Sequence, residues 1–248
     1  MKKVIGLSII LCLTVINCFA SNPFDEFKNQ ITGVAADIAQ KNLDNLAKDL
    51  GPVLGGGSFR SAKNLGLPGF DIGIRVPVRN VINEDAIVKA AGIDSIPLPM
   101  LQAEIGLPLK IDLIARYTSY QDSNLIGYGL RYMIYDSWIP GIPYLAIQSV
   151  YNTLNVDTGV NKFKANTLST ALIASWKFVV VEPYLGVSLD NTSVEPDSSL
   201  NIGKNGSANS VRIDGGISVS LFPLTYLQLG VTSADSNIGY TAGLGIKF

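Results

Sequence analysis

Ile238-Gly239-Tyr240-Thr241-Ala242-Gly243-Leu244-Gly245-Ile246-Lys247-Phe248 closes the chain. Tyr240, Ala242, Leu244, Ile246 and Phe248 fall on one face of an extended strand, and Gly239, Thr241, Gly243, Gly245 and Lys247 fall on the other. Successive side chains of a strand point to opposite sides of its sheet, so a period of two predicts a strand with one apolar face.

Working backwards, the same alternation recurs. Phe70, Ile72, Ile74, Val76 and Val78 alternate with Asp71, Gly73, Arg75, Pro77 and Arg79. Leu101 to Leu107, Ile111 to Tyr117, Ile126 to Ile134 and Val211 to Leu221 repeat it, and segments near 143–153, 165–178, 180–190 and 225–233 repeat it less sharply. These are about ten strands of roughly ten residues, the length a tilted strand needs to cross a bilayer. With Phe248 on the inner side, the connections near 222–224, 178–179, 136–142 and 108–109 share that side and are short. Those at 79–97, 154–164 and 191–209 lie opposite and are longer, with 120–124 and 234–237 as short exceptions. The segment 191–209, rich in Asn, Ser, Asp and Gly, reads as a solvated loop.

The chain has 248 residues. Lys2 and Lys3, an apolar run from Val4 to Val15 and the small residues before Ser21 predict a secretory signal over 1–20, cut before Ser21. A cut before Cys18 is the alternative, which the polar Asn17 disfavours. Export would remove both cysteines and leave a slightly acidic chain with no thiol and no histidine. No disulfide can then staple it, and its charge does not point to nucleic acid. No later stretch is long and apolar enough for a helical span.

From Phe24 to Leu50 the period is instead that of a helix, with Phe24, Phe27, Ile31, Val34, Ile38, Leu43, Leu46 and Leu50 on one stripe. Gly51-Pro52 is expected to end it, and Gly55-Gly56-Gly57 to form a flexible joint. The division is therefore a signal at 1–20, an amphipathic helix and joint at 21–57, and a barrel at 58–248.

Alternation alone fits either a membrane barrel or a soluble lipocalin-like one, which is apolar inside. Charge distribution favours the membrane. One face of the strands carries no charge, while the other carries Asp71, Arg75, Arg79, Glu104, Lys110, Asp112, Arg116, Arg131, Lys177, Glu182, Asp190, Arg212, Asp214 and Lys247. A lipid-facing charge near the midplane costs about 2–4 kcal/mol, so these are expected to face the lumen as a charged network. Tyr117, Tyr120, Tyr128, Tyr132, Tyr151, Trp176 and Tyr240 are candidates for the aromatic belts at the interfaces. The expected fold is an all-β, transmembrane, antiparallel up-and-down barrel of about ten strands with an N-terminal amphipathic helix. A twelve-stranded barrel is the alternative, with 57–63 helping to form extra strands and the helix plugging the lumen. In the ten-stranded case the lumen is narrow and polar, so the helix is expected at the periplasmic mouth or on the inner leaflet.

The closing strand, alternating and ending on Phe248, looks like the terminal signal of bacterial outer-membrane barrels. The resemblance implies that Tyr240, Leu244, Ile246 and Phe248 are read by the barrel-assembly machinery during biogenesis. A wider resemblance covers roughly 55–248. It rests on Ser58-Phe59-Arg60-Ser61-Ala62-Lys63, Leu67-Pro68-Gly69-Phe70-Asp71, Leu98-Pro99-Met100-Leu101-Gln102, Gly127-Tyr128-Gly129-Leu130-Arg131 and Trp138-Ile139-Pro140-Gly141. These motifs resemble an uncharacterised family of bacterial outer-membrane barrels, a domain of unknown function. Tyr132 and Met133 depart from its pattern after Arg131. The resemblance implies fold and location and carries no substrate.

With no histidine, serine-nucleophile and proton-relay chemistry lack their usual base, and His- or Cys-based metal sites are excluded. Gly127-x-Gly129 lacks the strand–loop–helix setting of a nucleotide site. No enzyme and no cofactor is expected. The expected role is structural or interactive, through loops 79–97 and 191–209, in contact with outer-membrane lipid and an unidentified surface partner. A narrow channel for a small solute is the alternative, motivated by the charged interior.

Overall fold

A computed structural model describes residues 22–248 apart from 121, 137, 138, 140 and 201. The expected signal at 1–20 lies outside the described residues. The strands are β1 (Phe70–Asn80), β2 (Ser95–Pro97), β3 (Met100–Leu107), β4 (Ile111–Tyr120), β5 (Ser123–Tyr135), β6 (Tyr144–Asp157), β7 (Lys162–Ser175), β8 (Val181–Pro196), β9 (Gly206–Val219), β10 (Thr225–Ala234) and β11 (Asn237–Lys247). The helices are α1 (Phe27–Ile31), α2 (Ala36–Gly55) and α3 (Ala86–Ala90).

Every neighbouring pair is antiparallel, and β11 pairs back onto β1 from Asp71↔Lys247 to Arg79↔Gly239, which closes a ten-stranded barrel. The short β2 is not a further stave. It continues the line of β3 in the same register against β1, with Val78↔Pro97 above Arg75↔Met100. Phe70 and Phe248 stack at 4.4 Å between ring centroids and mark one rim, the turn end. The opposite rim is the loop end.

Outward positions of the staves are apolar and exposed, among them Ile72, Leu101, Leu113, Tyr117, Ile126, Tyr128, Leu185, Val187, Val211, Leu229 and Tyr240. A soluble monomer rarely exposes a contiguous apolar surface beyond a few hundred Å², and a belt around a whole barrel is the surface a bilayer covers. Towards the loop end the outward positions turn polar. Thr153 donates to Asn166 at 3.0 Å and Asn166 donates to Glu195 at 3.3 Å across β6, β7 and β8. These strands rise past the apolar belt.

Several sequence expectations are corrected. The stripe from Phe24 to Leu50 is not one helix: α1 and α2 are separated at Gly33, whose φ of 73° breaks the first helix. Gly51-Pro52 does not end α2, which runs through Pro52 to Gly55. The triple glycine is not a loose joint, because Gly55 and Gly56 pack closely and only Gly57 of the three has positive φ. The segment 191–209 is mostly strand, with only 197–205 between β8 and β9. Its ends stay paired because the plug packs on them: Ser207 N donates to Asp44 at 2.8 Å, and Gly206 lies so close to the Leu43 backbone that a Cβ would collide. The length contrast between the two rims therefore rests chiefly on 81–99 and 197–205.

The largest correction is the place of the helix. It lies inside the barrel, packed mainly against β9, β8 and β7, rather than at the turn-end mouth. The lumen is not uniformly polar. Its loop-end half is lined by Leu125, Leu154, Val156, Phe163, Ala165 and Val194, and these form one core with Leu43, Leu46, Leu50, Val53 and Leu54 of the helix. The stripe thus finds its apolar partner within. A helix about 10–12 Å across fits because side chains are missing at the contact. A Cβ on Gly51 would stand 2.6 Å from Thr192 Oγ1, and one on Gly55 would stand 2.7 Å from Asp190 Oδ1. The helix plugs the lumen as the twelve-stranded alternative had it, but in a barrel of ten strands.

Candidate functional site

The site is the surface where the N-terminal segment meets the lumen wall. The segment enters at the loop end, where Phe24 and Phe27 lie 5.0 and 4.4 Å from the Phe163 ring. It descends as α2, crosses the middle as Gly56–Ala62, and reaches the turn end, where Leu65 N donates to Asp112 at 2.9 Å. The plug therefore runs beyond residue 58, where sequence reading had placed the start of the barrel.

The last carbonyls of a helix have no partner of their own, and they carry the negative end of its dipole. Here two guanidinium groups from opposite walls supply the partners. Arg116 of β4 donates to the Leu54 carbonyl at 2.5 Å and the Gly56 carbonyl at 2.6 Å. Arg212 of β9 donates to the Gly55 carbonyl at 3.2 Å. Arg212 is itself held by Asp190 at 2.7 Å and by Asp214. Among the described residues the one side chain that hydrogen-bonds Arg116 is Asn152, at 3.2 Å, so the helix end is its main counter-dipole.

Below this layer the extended segment is fastened by charge. Arg60 pairs with Asp71 through Nε at 2.8 Å and reaches Glu182 at 3.7 Å. Its guanidinium carbon lies 4.2 Å from the centroid of the Tyr226 ring, whose hydroxyl donates to Asp71 at 2.6 Å. Ser61 donates to Glu182, and Ala62 N donates to Ser175 at 2.9 Å. Gln102 and Gln148 donate to the Ser58 carbonyl and Gln228 donates to the Phe59 carbonyl, so the backbone of the threading segment is satisfied by the wall. Arg131 bridges Glu104 and Asp112, each at 2.8 Å.

At the loop end Asp49 of α2 accepts from Arg79 at 3.1 Å and from Ile82 N at 2.9 Å. This ties the plug to the segment 81–99, which folds over the helix as a lid. Val81, Ile87, Val88, Ile93 and Ile96 join the helix core. Asp85 caps α3 by accepting from Ile87 N and Val88 N. Burial, with the Asp49 carboxylate close by, pushes the Asp85 carboxyl up to about 7.

Of the charges read as luminal, Asp71, Arg75, Arg79, Glu104, Asp112, Arg116, Arg131, Glu182, Asp190, Arg212 and Asp214 are buried within the barrel. Lys247 is half-buried, 3.8 Å from Glu182. Lys110 and Lys177 are not luminal. Both are exposed in turn-end connections, where the strand has ended and alternation no longer assigns a face. The outward Tyr240 and Ile246 are exposed, as is Phe248 at the rim, and Leu244 is partly exposed.

Sequence reading missed Asp49 and Arg60, which the plug contributes to the network. A carboxylate beside the apolar stripe was the available signal for Asp49, and six carboxylates against five arginines on the lumen face were the signal for Arg60. Among the described residues no group of three or more His, Cys, Asp or Glu could hold a metal ion.

No curated protein matches the chain. Among solved structures it is similar to the KdgM porin, at 8% identity and a TM-score of 0.38 over 72% of this chain and 99% of that one. It is similar to the outer membrane protein OprG from Pseudomonas aeruginosa, at 12% identity and a TM-score of 0.37 over 76% and 99%. It is also similar to Ail, the attachment invasion locus protein of Yersinia pestis, at 12% identity and a TM-score of 0.29 over 73% and 99%. A family model matches residues 82–248, that is, the lid and β2 to β11, while the plug and β1 precede the matched span. The chain belongs to that family, a family of unknown function designated DUF6588.

Proposed function

We propose that the chain is a bacterial outer-membrane barrel held shut by its own N-terminal segment, a structural or interaction barrel that works at its loop end. The observation that carries this reading is the filled lumen. The plug engages the wall at every level, and Arg116 and Arg212 clamp the end of its helix from opposite sides. Little room is left for an aqueous passage, because a ten-stranded lumen is narrow before anything enters it. The apolar belt, the polar interior and the closing strand support the outer membrane, with Phe248 on the periplasmic rim and the lid facing out. The reading assigns no catalysis, since the buried carboxylates serve as partners for arginines and for backbone N–H groups.

Purified full-length protein in planar bilayers, with folding verified, tests it. The expected result is a silent membrane. Sustained discrete conductance would overturn the closed reading and favour the narrow channel.

A further inference from the structure

The barrel wall is split at the loop end, and an apolar cleft lies behind the split. β3 and β4 pair up to Leu101↔Tyr117 and no further. Continuing that register would set 98–100 against 118–120. Thr118, Ser119 and Tyr120 keep their pairing with Leu125, Asn124 and Ser123 of β5 on the other edge of β4, and 95–97 pair with β1. The cause is in the sequence. Leu98 N donates to the Pro77 carbonyl of β1 at 3.0 Å. In a strand the neighbouring N–H groups point the other way, towards β4, and here those positions are Pro97 and Pro99, which have no N–H to offer.

Leu50 and Val53 of the plug, Ile96, Leu98, Leu154 and Phe24 line the cleft, which measures about 760 Å³ counted with the space open to solvent. Among the described residues no charged side chain lines it. A charged or strongly polar guest would lose its hydration there without compensation. Just below the split, the exposed Leu101, Tyr117 and Ile126 form the upper edge of the apolar belt. The cleft thus adjoins both hydrocarbon and water.

We infer that the split admits one alkyl chain of an amphiphile, which inserts between the plug and the wall and leaves its polar head at the rim beside Thr118, Tyr120 and Ser123. The ligand class is a single unbranched hydrocarbon tail, whose burial removes methylenes from water. The source is an acyl chain of a membrane lipid, because the split opens directly beside the apolar belt. The inference rests on the membrane reading proposed above.

Photo-crosslinking in phospholipid nanodiscs tests it on the full chain. One arm adds a free fatty acid carrying a terminal diazirine, and the other uses a phospholipid carrying the same group at the end of one chain. Label concentrated on peptides containing 96–99 and 118–123 is expected in the phospholipid arm, and cleft label in the fatty-acid arm alone overturns the membrane-lipid source. Leu98→Trp at the mouth and Leu154→Phe at the floor should each remove that label while leaving label on the outward residues of β8. Two variants are used so that a folding failure in one leaves the other informative. Label on the β8 belt but not on the cleft peptides overturns the inference and leaves the membrane reading standing. Label on neither overturns both. Cleft label that survives both filling variants also overturns the inference.

Discussion

Arg116 on β4 donates from Nη2 to the Gly56 carbonyl at 2.6 Å, so the barrel wall caps a helix that has no basic residue in its own last turn. Without a wall on all sides, α2 would end at an uncapped proline-containing turn. Pro in a helix interior costs about 3 kcal/mol relative to Ala, and the guanidinium clamp together with the burial of Val53 and Leu54 offsets it.

Breaking the clamp should loosen the plug. Arg212→Met leaves Asp190 and Asp214 buried without their partner, and removing one member of a buried pair costs about 3–5 kcal/mol. The expected outcome in planar bilayers is intermittent conductance where the unaltered protein is silent. A variant that unfolds in less urea yet stays silent while folded would show that the clamp stabilises the barrel without holding the plug.

Glycines 51 and 55 give the helix its fit. Gly51→Val would drive its side chain into Thr192, and overpacking of this kind costs about 1–3 kcal/mol. The thermal transition of the folded barrel, followed by electrophoresis without boiling, should fall. Thr192→Ala in the same chain should recover part of the loss, since Thr192 Oγ1 is the nearest atom.

The course of the plug can be read from labelling. Val34 and Asp37 are exposed at the start of α2, and Leu46 is fully buried. In a chain whose Cys12 and Cys18 are replaced by Ser, a bulky maleimide applied to intact cells should label Val34→Cys and Asp37→Cys, but not Leu46→Cys until the barrel is unfolded. Labelling of the first two only after the outer membrane is opened would reverse the orientation proposed here.

The lid should respond to pH through Asp85. Its folded value of about 7 stands above the ordinary 3.8, because burial and then the Asp49 carboxylate disfavour its charge. A carboxyl raised on folding contributes most where both states hold the proton, and that contribution is lost as pH rises through the folded value. Amide protection in α3, corrected for intrinsic exchange rates, should therefore fall between about pH 4 and pH 7 and level off above. Asp85→Asn keeps an acceptor for the Ile87 and Val88 amides and should flatten the profile. An unchanged slope in that variant would assign the response to another group.

Much of the fold was written in alternation. Ile72 and Ile74 on one face with Asp71, Gly73 and Arg75 on the other could be placed without coordinates, because a one-residue slip would put charge into lipid. The strand ends were less legible. Lys110 and Lys177 keep the parity of their strands but lie in turns. Asn191 and Asn209 read as loop because their composition is polar, yet they pair with each other across β8 and β9. Their strands are extended by contact with α2, a partner more than a hundred residues away in the chain.

Local periodicity in the sequence sufficed for the staves, for their inward and outward faces and for an amphipathic helix ahead of them, since each of these depends on residues a few positions apart. The helix's destination depended on something no single segment carries. Whether the stripe from Leu43 to Leu54 lies on a leaflet or inside the barrel is settled by the combined lining of β5, β6, β7 and β8, whose upper inward residues are apolar. It is settled also by gaps at Gly51, Gly55 and Gly206 that let the backbones approach, and by two arginines that meet the helix end from opposite walls. Such a fit is a property of closure, because these residues come together only once β11 has paired with β1.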